Sequence, residues 1–173
     1  MEIYIEKLKK QDAEELFAFE SYNRTFFEKM VPSRGDDYYV YETFQSKHDE
    51  LLKEQKEGTF YFYLIRNMEK TIVGRINLVD IEKDRQLGYL GYRVGEDFIG
   101  NGIATKAVQL LLIQAANHQI IEIHAKTTNN NIASQLVLEK SGFSRTAIDK
   151  KGIELNGQKI NFIHYVWKHT KVL

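Results

Sequence analysis

Ile99-Gly100-Asn101-Gly102-Ile103-Ala104-Thr105 is the most informative run in this sequence. It follows an alternating segment, residues 87–94, and opens a segment that is apolar almost all round, residues 103–117. Glycines at such a junction permit positive φ and close approach of the backbone. The first amides of a helix have no partner within it, and the positive end of the helix dipole lies behind them. A helix opened in this way offers a site for a phosphate or pyrophosphate group. Taken alone, two glycines before a helix also read as an ordinary tight turn. A dinucleotide-binding turn is a poor match. It wants a third glycine where Thr105 stands, an acid where Lys126-Thr127-Thr128 stand, and a place after the first strand of a parallel sheet. The Gly-Lys-Ser/Thr of a phosphate-binding loop is absent.

The segments on either side give the element order. Residues 2–7 alternate Ile3 and Ile5 with charged neighbours and predict a strand. Residues 10–22 carry Ala13, Leu16, Phe17 and Phe19 at helical spacing. Pro32-Ser33-Arg34-Gly35 reads as a loop, and residues 38–56 as a second helix ending at Gly58. Residues 60–65, 72–81 and 87–94 are rich in aromatic and β-branched side chains with turn-like pieces between them, which predicts three antiparallel strands. Beyond the glycine turn, residues 120–127 predict a strand. Residues 132–141 predict a helix closed by Gly142 and Phe143. Residues 143–149 and 159–168 predict two last strands joined around Asn156-Gly157. The order β-α-α-β-β-β-α-β-α-β-β describes an α/β (α+β) fold, a mixed sheet flanked by helices and not a doubly wound parallel one.

Composition removes several classes of function. The 173 residues fit one domain, 1–173, large enough for a real core. Lysine plus arginine number 24 and aspartate plus glutamate 24, so there is no basic excess for a nucleic acid. Cysteine is absent, which excludes disulfides, thiolate metal sites and cysteine nucleophiles. The five histidines show no metal spacing, so no metal is expected. No leader and no membrane span are read, and the expected location is the cytoplasm. Short basic spots such as Lys168-His169-Lys171 read as solvated faces.

A second motif, Asn131-x-x-Ser134 leading to Glu139-Lys140-x-Gly142-Phe143, follows the first after one strand. Alone it reads as helix capping. Together the two motifs and the element order resemble the GNAT superfamily of acyl-CoA-dependent N-acetyltransferases. Phe19-Glu20-x-x-Asn23-Arg24, Gly91-Tyr92-Arg93 and Asn156-Gly157 resemble its ribosomal-protein N-terminal acetyltransferase branch. The resemblance implies a mostly antiparallel sheet of about seven strands, with the fourth bulged so that it splays from the fifth. It implies acetyl-CoA as cosubstrate. Val94 would line the pantetheine, the amides of Ile99, Gly100, Asn101, Gly102, Ile103, Ala104 and Thr105 would surround the pyrophosphate, and Asn131 would bond the pantetheine arm.

The implied reaction is direct attack of an amine on the thioester. An α-amine, with a pKa of about 7.7–8.0, is about a tenth uncharged at pH 7, whereas lysine at about 10.4 is almost wholly charged. The implied acceptor is a protein N-terminal α-amine. A small amine (polyamine, amino acid or antibiotic) and a catalytically weak acetyl-CoA sensor stand as alternatives, and the chain is expected to be a monomer or homodimer. This sequence departs from the family at three places. Ile99 replaces a polar residue in the loop, Leu138 replaces the tyrosine acid, and Tyr89 replaces a glutamate. Ser134 is therefore the candidate to protonate the thiolate. Glu20 is the candidate to meet the amine, against the plainer reading of an exposed helix carboxylate.

Overall fold

Alternating apolar side chains lay down the centre of the molecule, which the computed structural model describes over residues 1–170. Lys171, from the C-terminal basic spot, lies outside the described residues. Strand β1 (Ile3–Lys7) is followed by helices α1 (Ala13–Tyr22), α2 (Arg24–Glu28) and α3 (Tyr41–Glu57). Then come β2 (Tyr61–Asn67), β3 (Ile72–Glu82), β4 (Leu87–Val94), α4 (Ile103–Asn117), β5 (Glu122–Thr128) and α5 (Ile132–Lys140). The chain finishes with β6 (Ser144–Ile148), β7 (Ile153–Leu155), β8 (Gln158–Ile160) and β9 (Phe162–Lys168). Seven strands form one sheet in the order β1-β2-β3-β4-β5-β9-β6, antiparallel except for the β4–β5 pair. No helix among the described residues is long and apolar enough to cross a membrane.

Successive residues of a strand point to opposite faces, so β2 feeds two cores. Tyr63 and Ile65 join Val108, Leu111 and Leu138 under α4 and α5. Phe62 and Leu64 join Leu16, Phe19, Phe27 and Phe44 under α1, α2 and α3. Every residue from Phe62 to Ile65 is at most 3% exposed, so the middle of the sheet is sealed on both faces.

Three expectations change in detail. The second helix does not run unbroken from 38. Val40 is extended (φ −94°, ψ 124°) and separates a 3-10 turn, Asp36–Tyr39, from α3. A short helix, α2, that the apolar spacing did not disclose follows α1 directly. Asn156-Gly157 does turn a hairpin, with φ of 51° and 75°, but it joins β7 to β8 in a separate two-stranded ribbon. The last two strands of the main sheet, β6 and β9, pair directly with each other around that insertion.

Strands β4 and β5 pair only at Leu87–Glu122, Gly88–Ile123 and Tyr89–His124, and diverge beyond. β4 instead stays in regular register with β3 from Tyr89 to Val94, while β5 stays with β9 along its whole length. The implied splay is present. The implied bulge is displaced: the extra residue stands in β3, where Asp80 and Ile81 (Asp80 φ 48°) face the single residue Gly88.

The tight β3–β4 pairing that holds the splay open depends on Gly74. A Cβ there would stand 2.5 Å from the Arg93 carbonyl oxygen. Gly74→Ala is expected to cost about 2 kcal/mol, a fall in Tm of about 4–8 °C by calorimetry.

Candidate active site

Where β4 and β5 part, a cavity of about 290 Å³ passes between them. Gly91, Tyr92 and Arg93 line it from β4, and Lys126, Thr127 and Thr128 from β5. A second cavity of about 550 Å³ lies between α3 and the sheet, and it shares Arg75 and Asn77 with the first. With Ser134 and Leu138 of α5 lining it on one side and Arg75, Asn77 and Arg93 on the other, the opening reaches both faces of the sheet.

On one face, Leu90, Tyr92 and Val94 pack toward the core of α4 and α5. Val94 lies past the cavity, between Tyr92 and the glycine turn. In that turn Gly100 and Gly102 have φ of 77° and 71°. A Cβ at either would meet nothing within 4 Å, so the requirement for glycine is conformational and not one of space. Asn101 braces the turn by donating from Nδ2 to the carbonyls of Phe98 and Ile99. Ile99 is 53% exposed, whereas Ile103 is buried and roots the helix in the core. Among the described residues, the amide of Ile99 donates to Glu96 O and the next amide with an acceptor is that of Lys106, on Gly102 O. The amides of residues 100–105 are left to a ligand or to water. This arrangement fits an anion.

Asn131 caps α5: its Oδ1 accepts from the Ser134 amide at 3.1 Å. The capping reading thus holds, and it leaves the Nδ2 donor uncommitted beside the cavity. Ser134 Oγ is 2.8 Å from the Tyr92 hydroxyl. Burial pushes that phenol up to about 12, against the smaller opposing pull of the Ser134 hydrogen bond. Tyr92 is the residue whose site role the sequence reading missed. Its signal was present in the two-residue period with Leu90 and Val94, which sets it on the α5 face. Leu138, where the family's tyrosine would stand, is 1% exposed and belongs to the core.

Glu20 is not the exposed carboxylate of the plainer reading. It is 0% exposed, because it lies one helical turn after Leu16 on the buried stripe of α1. Arg75 Nε is 2.8 Å from Oε1 and an Arg93 guanidinium nitrogen 3.8 Å from Oε2. Burial raises the Glu20 carboxyl from its ordinary value, and Arg34 and Arg93 pull it back. Glu20 does not line either cavity; it stands behind the arginines that do. The structure thus gathers Val94, residues 99–105, Asn131 and Ser134 along one face and sets Glu20 on the other.

The rest of the Phe19-Glu20-x-x-Asn23-Arg24 segment braces the frame. Asn23 donates to Phe19 O and accepts from the Glu96 amide, tying α1 to the start of the glycine turn. His48 is buried with Nε2 on Lys9 O. Among the described residues no group of three or more His, Asp or Glu side chains is placed to hold a metal ion.

The acetyltransferase (GNAT) domain family matches residues 2–144. The chain is 31% identical to a probable N-acetyltransferase, YjcK, of Bacillus subtilis over 174 residues, 99% of this chain and 92% of that protein. It is 27% identical to the [ribosomal protein uS5]-alanine N-acetyltransferase of Escherichia coli over 152 residues, 86% of this chain and 78% of that one. Among solved structures, RimL, a ribosomal L7/L12 alpha-N-protein acetyltransferase in complex with coenzyme A, superposes with a TM-score of 0.86. That match covers 96% of this chain and 93% of the other at 20% identity, a likeness of fold. Turn, splayed strands and sequence agree: the chain belongs to the GNAT acetyltransferase family.

Proposed function

We propose that this enzyme moves the acetyl group of acetyl-CoA to the N-terminal α-amine of a protein. The observation that carries the reading is the opening between β4 and β5, with the free amides of residues 100–105 and the Tyr92–Ser134 hydroxyl pair on its one side. The coenzyme A bound by the structural neighbour and the alanine acceptor named for the Escherichia coli relative support it.

In this reading the amides of residues 100–105 hold the pyrophosphate. Asn131 Nδ2 and the unpaired edge of β4 receive the pantetheine arm. Acetyl-CoA supplies an activated acyl carbon: the neutral amine nitrogen bonds to it as the carbon–sulfur bond breaks. Ser134 gives its hydroxyl proton to the departing thiolate. Tyr92, protonated at neutral pH, passes its proton to Ser134, and the proton shed by the new amide returns through water to Tyr92. Holding the amine and thioester in line contributes up to about 7–11 kcal/mol in favourable cases. Glu20 acts at one remove, fixing Arg75 and Arg93 beside the acceptor.

Three outcomes are expected. Acetyl-CoA at 100 times its Kd stabilises by about 2.7 kcal/mol, a Tm rise of about 5–10 °C that NAD does not give. The absence of that rise at high acetyl-CoA sinks the reading. With acetyl-CoA and an N-terminal peptide saturating, Ser134→Ala lowers kcat by about 100-fold, as expected on removing a positioned proton donor. Tyr92→Phe lowers it about tenfold, one hydrogen bond's worth. An unchanged kcat in Ser134→Ala removes the proton-donor role.

A further inference from the structure

The face of β4 that looks toward α1, α2 and α3 carries a different chemistry from the face that holds Tyr92 and Ser134. Its residues pair across to β3 in rows: Arg75 with Arg93, then Asn77 with Gly91, then Val79 with Tyr89. The first row sets two guanidinium groups side by side at the cavity wall, with the buried carboxylate of Glu20 behind them. Lys126 adds a third cation to the lining of that cavity, and no Asp or Glu among the described residues lines it. Arg34 and Lys47 line the adjoining cavity together with Glu50 and Glu54, so the excess of cations belongs to the first cavity. Positive charge is in excess here although the whole chain is neutral.

The second row is a gap. Gly91 contributes no side chain, and a Cβ there would meet nothing within 4 Å. Opposite it, Asn77 lines both cavities, and its buried Oδ1 has no hydrogen-bond partner. A buried acceptor without a donor calls for one, and an amine N–H supplies it. The two rows are two strand residues apart, about 7 Å.

We propose, building on the acetyl-transfer reading, that the acceptor is a peptide α-amine received between Asn77 and Gly91, with a side-chain carboxylate on its second residue held by Arg75 and Arg93. Guanidinium and carboxylate form the strong, charge-assisted pairs that such a row is suited to. A free amino acid falls short, because its carboxylate shares a carbon with its amine. Polyamines meet the wrong sign of charge.

The test uses peptides of one length beginning Ala-Glu, Ala-Gln or Ala-Lys with neutral residues after, alongside free glutamate and a polyamine. The kcat/KM for Ala-Glu is expected to exceed that for Ala-Gln at least tenfold, with Ala-Lys lower still. Arg93→Gln should bring the Glu and Gln peptides within about twofold of each other. Equal rates on the Glu and Gln peptides, or a preference for Ala-Lys, free glutamate or the polyamine, overturns the proposal. A second measurement needs no variant: calorimetric titration of the CoA-loaded wild-type protein with the same peptides. Tighter binding of Ala-Glu than Ala-Gln by fivefold or more, with no acetylation of any amine, supports the subsite and removes the acetyl-transfer reading. Equal binding of both peptides overturns the subsite.

Discussion

Strand β4 is paired with β3 from Leu87 to Val94 but with β5 over only three residues, and the rest of the structure turns on that mismatch. β5 gives its other edge to β9 over its whole length, from Glu122 to Thr128, so neither strand can swing to close the gap. The backbone groups of β4 beyond Tyr89 on that side lack a strand partner in the middle of a sheet. Buried peptide groups in that state need another partner, from ligand or water. An open sheet edge is ordinarily a hazard at the rim of a protein. Here it is internal, flanked by helices on both faces, and borders a cavity of about 290 Å³. That confinement suits the unpaired edge to the pantetheine arm of the proposed reaction.

The arginine row imposes a second constraint. Like charges directly opposite on paired strands repel, and Arg75 and Arg93 are cross-strand partners. Glu20 lies close to both and is wholly buried, so it relieves the repulsion from behind without covering the side that faces the cavity. Phe62 under Arg75 and Phe27 under Arg93 add cation–π support at 5.2 and 5.1 Å. A carboxylate buried in this way adds little net stability on its own, because its desolvation offsets most of the attraction. What it contributes is position: two guanidinium groups held side by side at the cavity wall.

Sharp punctuation in the sequence made some elements legible. The glycine turn marks the end of β4 and the start of α4, and both were read with the bounds they have. Gly58 at φ 74° ended α3 as its sequence implied. Elements without such marks were lost or blurred. α2 is too short to show a period, and the break at Val40 carries no glycine or proline. The bulge moved to β3 because Asp80, a non-glycine residue at positive φ, leaves no warning in composition. The plainer reading of Glu20 as an exposed carboxylate goes by residue type alone, whereas its spacing from Leu16 sets it on the buried stripe. Charge summed along the chain is zero, and a sum is blind to the placement of Arg75, Arg93 and Lys126 around one opening.

The opening also separates two kinds of chemistry that would interfere if mixed. The hydroxyl groups of Tyr92 and Ser134 lie on the side of the glycine turn, and the guanidinium groups of Arg75 and Arg93 on the side of α1. A thiolate leaving toward the hydroxyl side meets proton donors. An α-amine arriving from the other side meets positive charge, which disfavours its protonated form and raises the fraction able to attack. The same arginines that would hold an acidic side chain therefore also bias the amine toward neutrality. In the proposed reaction a general base at the acceptor is then dispensable for the first step, which fits Tyr89 standing where the family's glutamate would be and Glu20 lying buried behind the guanidinium groups, in the lining of neither cavity.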